Sequence, residues 1–128
     1  MSTDAPIARF ALTALDCPDP LELAGFYSRL TGWPVAPQAE DDWVALAPGG
    51  AGATLAFQQV TEGPYRPPEW PGQEYPQQAH LDFEVPDLDA GEAAVLALGA
   101  RKHEVQPAPE SFRVFLDPVG HPFCLVRE

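Results

Sequence analysis

His80 and Asp82 stand two positions apart in the run His80–Val85, where polar and apolar residues alternate as in a half-buried strand. Residues two apart on a strand share one face, roughly 7 Å from each other. An imidazole and a carboxylate so placed can communicate. They suit general-base work, in which the carboxylate raises the histidine pKa. The alternative is a histidine that only hydrogen-bonds a ligand or a neighbouring segment. Arg113, also in a strand-like run, can hold a carboxylate or an enolate, or form an outward ion pair. His121 lies between Gly120 and Pro122, which suits a rim position, and His103 lies in the basic stretch Arg101–Glu104, which suits solvent. Cys17 and Cys124 are too few for a secreted disulfide scaffold and read as thiols. No CxxC and no GxxxxGK[ST] occurs, and Gly49, Gly50 and Gly52 are wrongly spaced for GxGxxG. Phosphate-cradling chemistry is therefore unsupported.

The scaffold for these residues is a single acidic domain. The 128 residues are 45% hydrophobic and 20% charged, a globular composition. Nineteen acids against seven Lys and Arg give a formal charge of −12. A phosphate backbone or an anionic membrane surface would be repelled, so neither nucleic acid nor membrane is an expected partner. No apolar run approaches the roughly 20 residues of a membrane span. Met1–Arg9 lacks a basic region followed by an apolar one, so a cytoplasmic location is expected.

The chain repeats itself. Asp16-Cys17-Pro18-Asp19 returns 68 positions later as Glu84-Val85-Pro86-Asp87. A strand-like run precedes each, and a helical pattern follows. Leu23, Phe26, Tyr27 and Leu30 form the apolar stripe of the first helix; Gly91, Ala94, Val95 and Leu98 occupy the same offsets in the second. Asp19 with Glu22, and Asp89 with Glu92, read as capping boxes, and Pro20 suits the first helical position. Gly32 and Gly99 suit left-handed C-terminal caps. Val44–Pro48 lines up with Val114–Pro118. The expected fold is α+β, with two tandem βαβββ modules. Module 1 covers about 8–60, with a strand at 8–16, a helix at 20–31, and strands near 34–37, 42–47 and 53–60. Module 2 covers 79–127, with a strand at 79–85, a helix at 89–98, and strands near 101–106, 112–116 and 122–127.

A proline-rich linker, 61–78, joins the modules. Pro64, Pro67, Pro68, Pro71 and Pro76 exclude a sheet strand, because proline removes ladder donors. Tyr65, Trp70 and Tyr75 argue for a packed, extended arm. It either covers a sheet edge, or Trp70 and Tyr75 roof a ligand cleft.

Several phrases resemble the vicinal oxygen chelate superfamily, which holds glyoxalases, bleomycin-resistance proteins and extradiol dioxygenases. These are Leu15–Pro20, Phe26-Tyr27 with Leu30-x-Gly32-Trp33, Trp70-Pro71, His80–Phe83, and Asp117-Pro118-x-Gly120-His121-Pro122-Phe123. They resemble its glyoxalase-like branch most, over nearly the whole chain. The resemblance implies a curved mixed sheet around a cleft, with helices outside. It also implies a homodimer. Alternation then turns Leu81, Phe83 and Val85, with Phe123 and Leu125, towards the second helix. His80, Asp82, Glu84 and Cys124 face the cleft.

Metal-dependent members of that superfamily use four cleft positions, which fall here on Leu12, Ala56, His80 and Cys124. Only His80 is a standard ligand there, and the octahedral, oxygen-rich sites typical of the superfamily need more carboxylates. The expectation is therefore no cofactor; a divalent metal is the less favoured alternative, with Cys124 and His80 as half of a usual zinc set and Asp82 near enough to serve from outside the four positions. A small-molecule site is expected at His80, Asp82 and Cys124, with Gln58, Arg113 and Trp70 nearby. Three functions compete. The first is a protein that binds an aromatic or cationic small molecule, as in bleomycin resistance, supported by the aromatics and the negative charge. The second is a lyase, isomerase or dioxygenase-like enzyme with His80 and Asp82 as catalytic residues. The third is a structural or regulatory dimer.

Overall fold

The computed structural model describes residues 6, 9–37, 39–48 and 53–128. The start of the first expected strand, and the glycines at 49, 50 and 52, lie outside them. The chain divides into two compact units, Met1–Gln59 and Val60–Glu128.

In the first unit, β1 (Leu12–Cys17) leads through Pro18 into α1 (Pro20–Thr31), followed by β2 (Trp43–Ala45) and β3 (Thr54–Gln59). Asp19 caps α1, its carboxylate accepting from the Glu22 amide at 3.3 Å, and Pro20 opens the helix. Gly32, in the left-handed region at φ 79°, ends it. The strand order is β1-β3-β2, with β1 parallel and β2 antiparallel to β3. Leu23, Phe26 and Tyr27 are buried, and Tyr27 stacks on Phe57 with ring centres 5.5 Å apart. Burying one such side chain contributes roughly 1.5–3 kcal/mol.

The second unit repeats the plan with β4 (Leu81–Val85), α2 (Leu88–Leu98), β5 (Arg101–Lys102), β6 (Phe112–Leu116) and β7 (Pro122–Arg127). The order is β4-β7-β6-β5, with β4 parallel to β7 and the other pairs antiparallel. This is the expected α+β arrangement of two mixed sheets and two helices.

α2 packs close to its sheet because Gly91 has no side chain. A Cβ there would stand 3.2 Å from Leu125 Cδ1 and from Val85 Cγ1. That contact fixes the helix-side face: Val85 and Leu125, with Phe83 edge-on to Phe123 and Phe115 stacked on Phe123. His80, Asp82 and Cys124, one residue out of phase, take the opposite face.

Five local expectations need correction. The cap of α2 is Asp87, not Asp89: the Asp87 carboxylate accepts from the amides of Asp89 at 2.9 Å and Ala90 at 3.4 Å. Ala94 is exposed, so Leu88 and Val95 carry the buried stripe. The strand near 34–37 reduces to one bridge, Val35 to Leu46. The strand expected at 101–106 stops at Lys102, because His103 turns the chain: its Nδ1 accepts from the Val105 amide at 2.9 Å. His103 is therefore half-buried rather than solvent-facing.

Candidate functional site

The site is built on β4 and β7. Their parallel register sets Asp82 directly beside Cys124. His80 lies just before β4, two residues from Asp82 and on the same face. His80 Nε2 stands 3.3 Å from Asp82 Oδ1. One ligand atom from each of His80, Asp82 and Cys124 falls within 4.8 Å of the other two. The histidine side chain is 27% exposed and the aspartate 57%, so the carboxylate is the open side of the group. Cys124 is buried at its base. Burial pushes the Cys124 thiol pKa up to about 12, and the neighbouring Asp82 charge adds to this. A thiol held neutral in this way is a poor nucleophile.

The proline-rich segment supplies what holds His80. The Glu69 amide donates to the Tyr75 carbonyl at 2.7 Å, closing residues 69–76 into a tight excursion. This lays Trp70 on His80, nearly parallel, with ring centres 4.2 Å apart. In the orientation of the Gln77 amide that satisfies its neighbours, its oxygen accepts from His80 Nδ1 at 3.1 Å and from Trp70 Nε1 at 3.2 Å. The amide nitrogen donates to the Ala79 carbonyl at 3.3 Å. The Nδ1 proton is thus committed to Gln77. In the neutral ring Nε2 carries the lone pair, and it points at Asp82.

Pro67 fixes the start of the same segment. It lies against Gly120, where a Cβ would approach it to 2.6 Å and where φ is 95°. Only glycine meets both demands. The Asp117–His121 turn is structural: the buried Asp117 carboxylate accepts from the amides of Val119 and His121, each at 3.0 Å. The His121 ring rests near Tyr65.

Of the residues expected at the site, His80, Asp82, Cys124 and Trp70 come together. Arg113 does not join them. It pairs with Leu125, which faces α2, and so shares the helix side of the sheet. There its Nη1 donates to Asp89 at 2.9 Å and to Glu92 at 3.0 Å. Asp89, and then Glu92, raise its pKa against the opposing effect of burial. Gln58 belongs to the first unit, exposed on β3 opposite Asp16 and Trp43. Tyr75 lies under the Arg66 guanidinium, its ring centre 4.2 Å from the guanidinium carbon. Gln77 is the residue that sequence reasoning missed. Its only signal is a polar amide three positions before the histidine.

The superfamily's divalent ion does not fit the donor set of its four positions. Leu12 and Ala56 offer no donor atom, and an octahedral oxygen-rich ion cannot be assembled from His80 and Cys124 alone. Nor is any helix among the described residues long and apolar enough to cross a membrane.

Comparison with known proteins agrees with this architecture. A family model described as a glyoxalase-like domain matches residues 13–126. No curated protein sequence matches the chain. Among solved structures, a glyoxalase/bleomycin resistance protein/dioxygenase family enzyme from Burkholderia phytofirmans PsJN superposes with a TM-score of 0.69 at 16% identity, covering 94% of this chain and 98% of that one. A glyoxalase-related enzyme from Fulvimarina pelagi gives 0.67 at 18% identity, covering 95% and 89%. A glyoxalase/bleomycin resistance protein from Albidiferax ferrireducens T118 gives 0.63 at 19%, covering 93% and 98%. These likenesses concern the fold. With the family match over nearly its whole length, the chain belongs to the glyoxalase-like domain family of the vicinal oxygen chelate superfamily.

Proposed function

We propose that this protein binds a small organic molecule, cationic or aromatic, on the His80–Asp82–Cys124 face of its second unit. The carrying observation is a chain of contacts that ends in the open. Trp70 stacks on His80, Gln77 pins both rings, and the exposed Asp82 carboxylate stands beside His80 Nε2. A pinned aromatic edge beside an open carboxylate suits a ligand with a flat apolar part and an N–H or ammonium group. The formal charge of −12 favours the approach of a cation. Relatives named for bleomycin resistance share this fold.

The test is calorimetry on hits from a thermal-shift screen of aromatic amines. His80→Ala should weaken binding by roughly 1–3 kcal/mol, through one lost hydrogen bond to the ligand. The variant should keep its fold, since His80 is only half-buried. Equal affinity in the two proteins removes His80 from the site.

A second reading is an enzyme of lyase or isomerase type. It is favoured by the same commitment of Nδ1 to Gln77, which leaves Nε2 as the proton acceptor next to Asp82. In that case His80→Ala loses turnover while retaining most of the ligand affinity.

A further inference from the structure

We propose that His80 Nε2, a carboxylate oxygen of Asp82 and Cys124 Sγ together bind one zinc-type divalent cation, with a fourth position left open. An ion can bind here whether or not an organic ligand does, so the inference stands apart from the small-molecule reading. It starts from the mismatch already noted. The superfamily's four positions provide too few donors for an oxygen-rich ion, yet three donors of another kind meet within the second unit. Asp82, outside those four positions, completes them.

Geometry carries the proposal. A tetrahedral ion with bonds of about 2.0–2.3 Å to nitrogen, oxygen and sulfur holds its ligand atoms roughly 3.3–3.6 Å apart. His80 Nε2 and Asp82 Oδ1 already stand at 3.3 Å. All three atoms lie within 4.8 Å of one another, so closing the set takes side-chain rotations of about 1 Å. The backbone needs no change, because Asp82 and Cys124 are register partners on adjacent strands.

The surroundings have the features of a ligand's support. A metal-bound histidine donates its other ring N–H to a fixed acceptor, which sets the tautomer and the ring plane. Gln77 accepts from Nδ1, and Trp70 holds the plane. Nε2 is thereby the ring atom turned to the Asp82 carboxylate, and a cation between the two takes the place that a shared proton would otherwise hold. Thiolate, imidazole and carboxylate form a borderline-soft set, which selects zinc over magnesium or manganese. On binding, the covalent S–H bond of Cys124 is replaced by a sulfur–metal bond and the proton passes to solvent. No electron is transferred.

The test uses the full chain, reduced and stripped of metal with a chelator, then titrated with cobalt and with zinc. One cobalt per chain should produce thiolate-to-cobalt charge-transfer absorption together with the visible bands of a tetrahedral ion. Zinc should displace it, and magnesium should not at a hundredfold higher concentration. Asp82→Asn, at an exposed position, should keep the fold and weaken the cobalt complex at least tenfold. Gln77→Ala, which touches no metal, should weaken it about 10–100-fold. Cys124→Ser should abolish the charge-transfer band, whereas Cys17→Ser should leave it. If Cys124→Ser does not fold, alkylation of the wild type decides: zinc should protect Cys124 and leave Cys17 unchanged. A chain that takes up no cobalt overturns the proposal. So does a charge-transfer band that follows Cys17, or an affinity unmoved by Asp82→Asn. None of these readouts involves an organic ligand, so a failed screen of aromatic amines and a failed metal titration remain separate results.

Discussion

The two units build the same local frame and furnish it differently. In the first, Ala14 pairs with Ala56 across parallel strands β1 and β3; in the second, Asp82 pairs with Cys124 across β4 and β7. Each residue of the second pair lies 68 positions after its counterpart, and His80 lies 68 after Leu12. One frame therefore presents leucine and two alanines where the other presents imidazole, carboxylate and thiol. The helices differ in the reverse sense. α1 buries Leu23, Phe26 and Tyr27, whereas α2 has Gly91 at the Leu23 position and lies close on its sheet. Backbone topology alone thus places no chemistry. The frame provides three adjacent positions on one sheet face, and side-chain identity decides whether they form a site.

The strongest way to break this comparison is to exchange the furnishing. Replacing His80 by Leu, Asp82 by Ala and Cys124 by Ala gives the second unit the residues of the first. Cobalt binding should fall by more than a hundredfold, equivalent to roughly 3 kcal/mol. The thermal transition should remain cooperative, because the first unit already carries leucine and alanine on this frame. Cobalt affinity retained by the exchanged protein would move the site elsewhere. An unfolded product would show that the three polar groups hold the second sheet together.

A second exchange tests the helices. Gly91→Leu installs the residue of α1 in α2. The added side chain meets Val85 and Leu125 at once, since even a Cβ stands 3.2 Å from each. Overpacking of this kind costs about 1–3 kcal/mol, less a gain of about 1 from replacing glycine within a helix. Urea denaturation should show a net loss. A stabilised variant would mean that α2 can lift off its sheet as freely as the larger side chains of α1 require.

These differences were unequally legible in the sequence. The repeat of Pro-Asp turns, the Asp19 cap and both glycine stops are local signals, and the elements follow them closely. The shared face of His80 and Asp82 followed from alternation. Their 3.3 Å approach did not, because strand spacing fixes backbone positions and not the lean of two side chains. Arg113 is readable as a strand residue, but the face it presents depends on its pairing with Leu125, a long-range register that no local pattern fixes. Gln77 was invisible for a similar reason. Its partners reach it only because residues 69–76 fold back, and no periodicity marks that excursion. At the second helix a rival signal competes with the true cap. Asp89 and Glu92 have capping-box spacing, yet both carboxylates instead hold Arg113.

The caps give the smallest and sharpest contrast between the units. Each helix begins with an aspartate in extended conformation whose carboxylate accepts from first-turn amides. Asp19 accepts from one, at 3.3 Å, and Pro20 removes a second amide that would otherwise need a partner. Asp87 accepts from two, the nearer at 2.9 Å, and α2 has no proline in its first turn. Losing such a cap costs about 0.5–2 kcal/mol, typically near 1. Asp87→Ala should fall in the upper part of that range and Asp19→Ala in the lower, when both are measured by urea denaturation at neutral pH. The order matters more than the values. α2 buries only Leu88 and Val95 within its own span, so its start depends more on the cap than that of α1, which is anchored by a row of buried side chains. Equal losses would mean that the second amide bond of Asp87 contributes nothing. A larger loss for Asp19→Ala would place the weaker helix in the first unit and reverse the contrast in packing between α1 and α2.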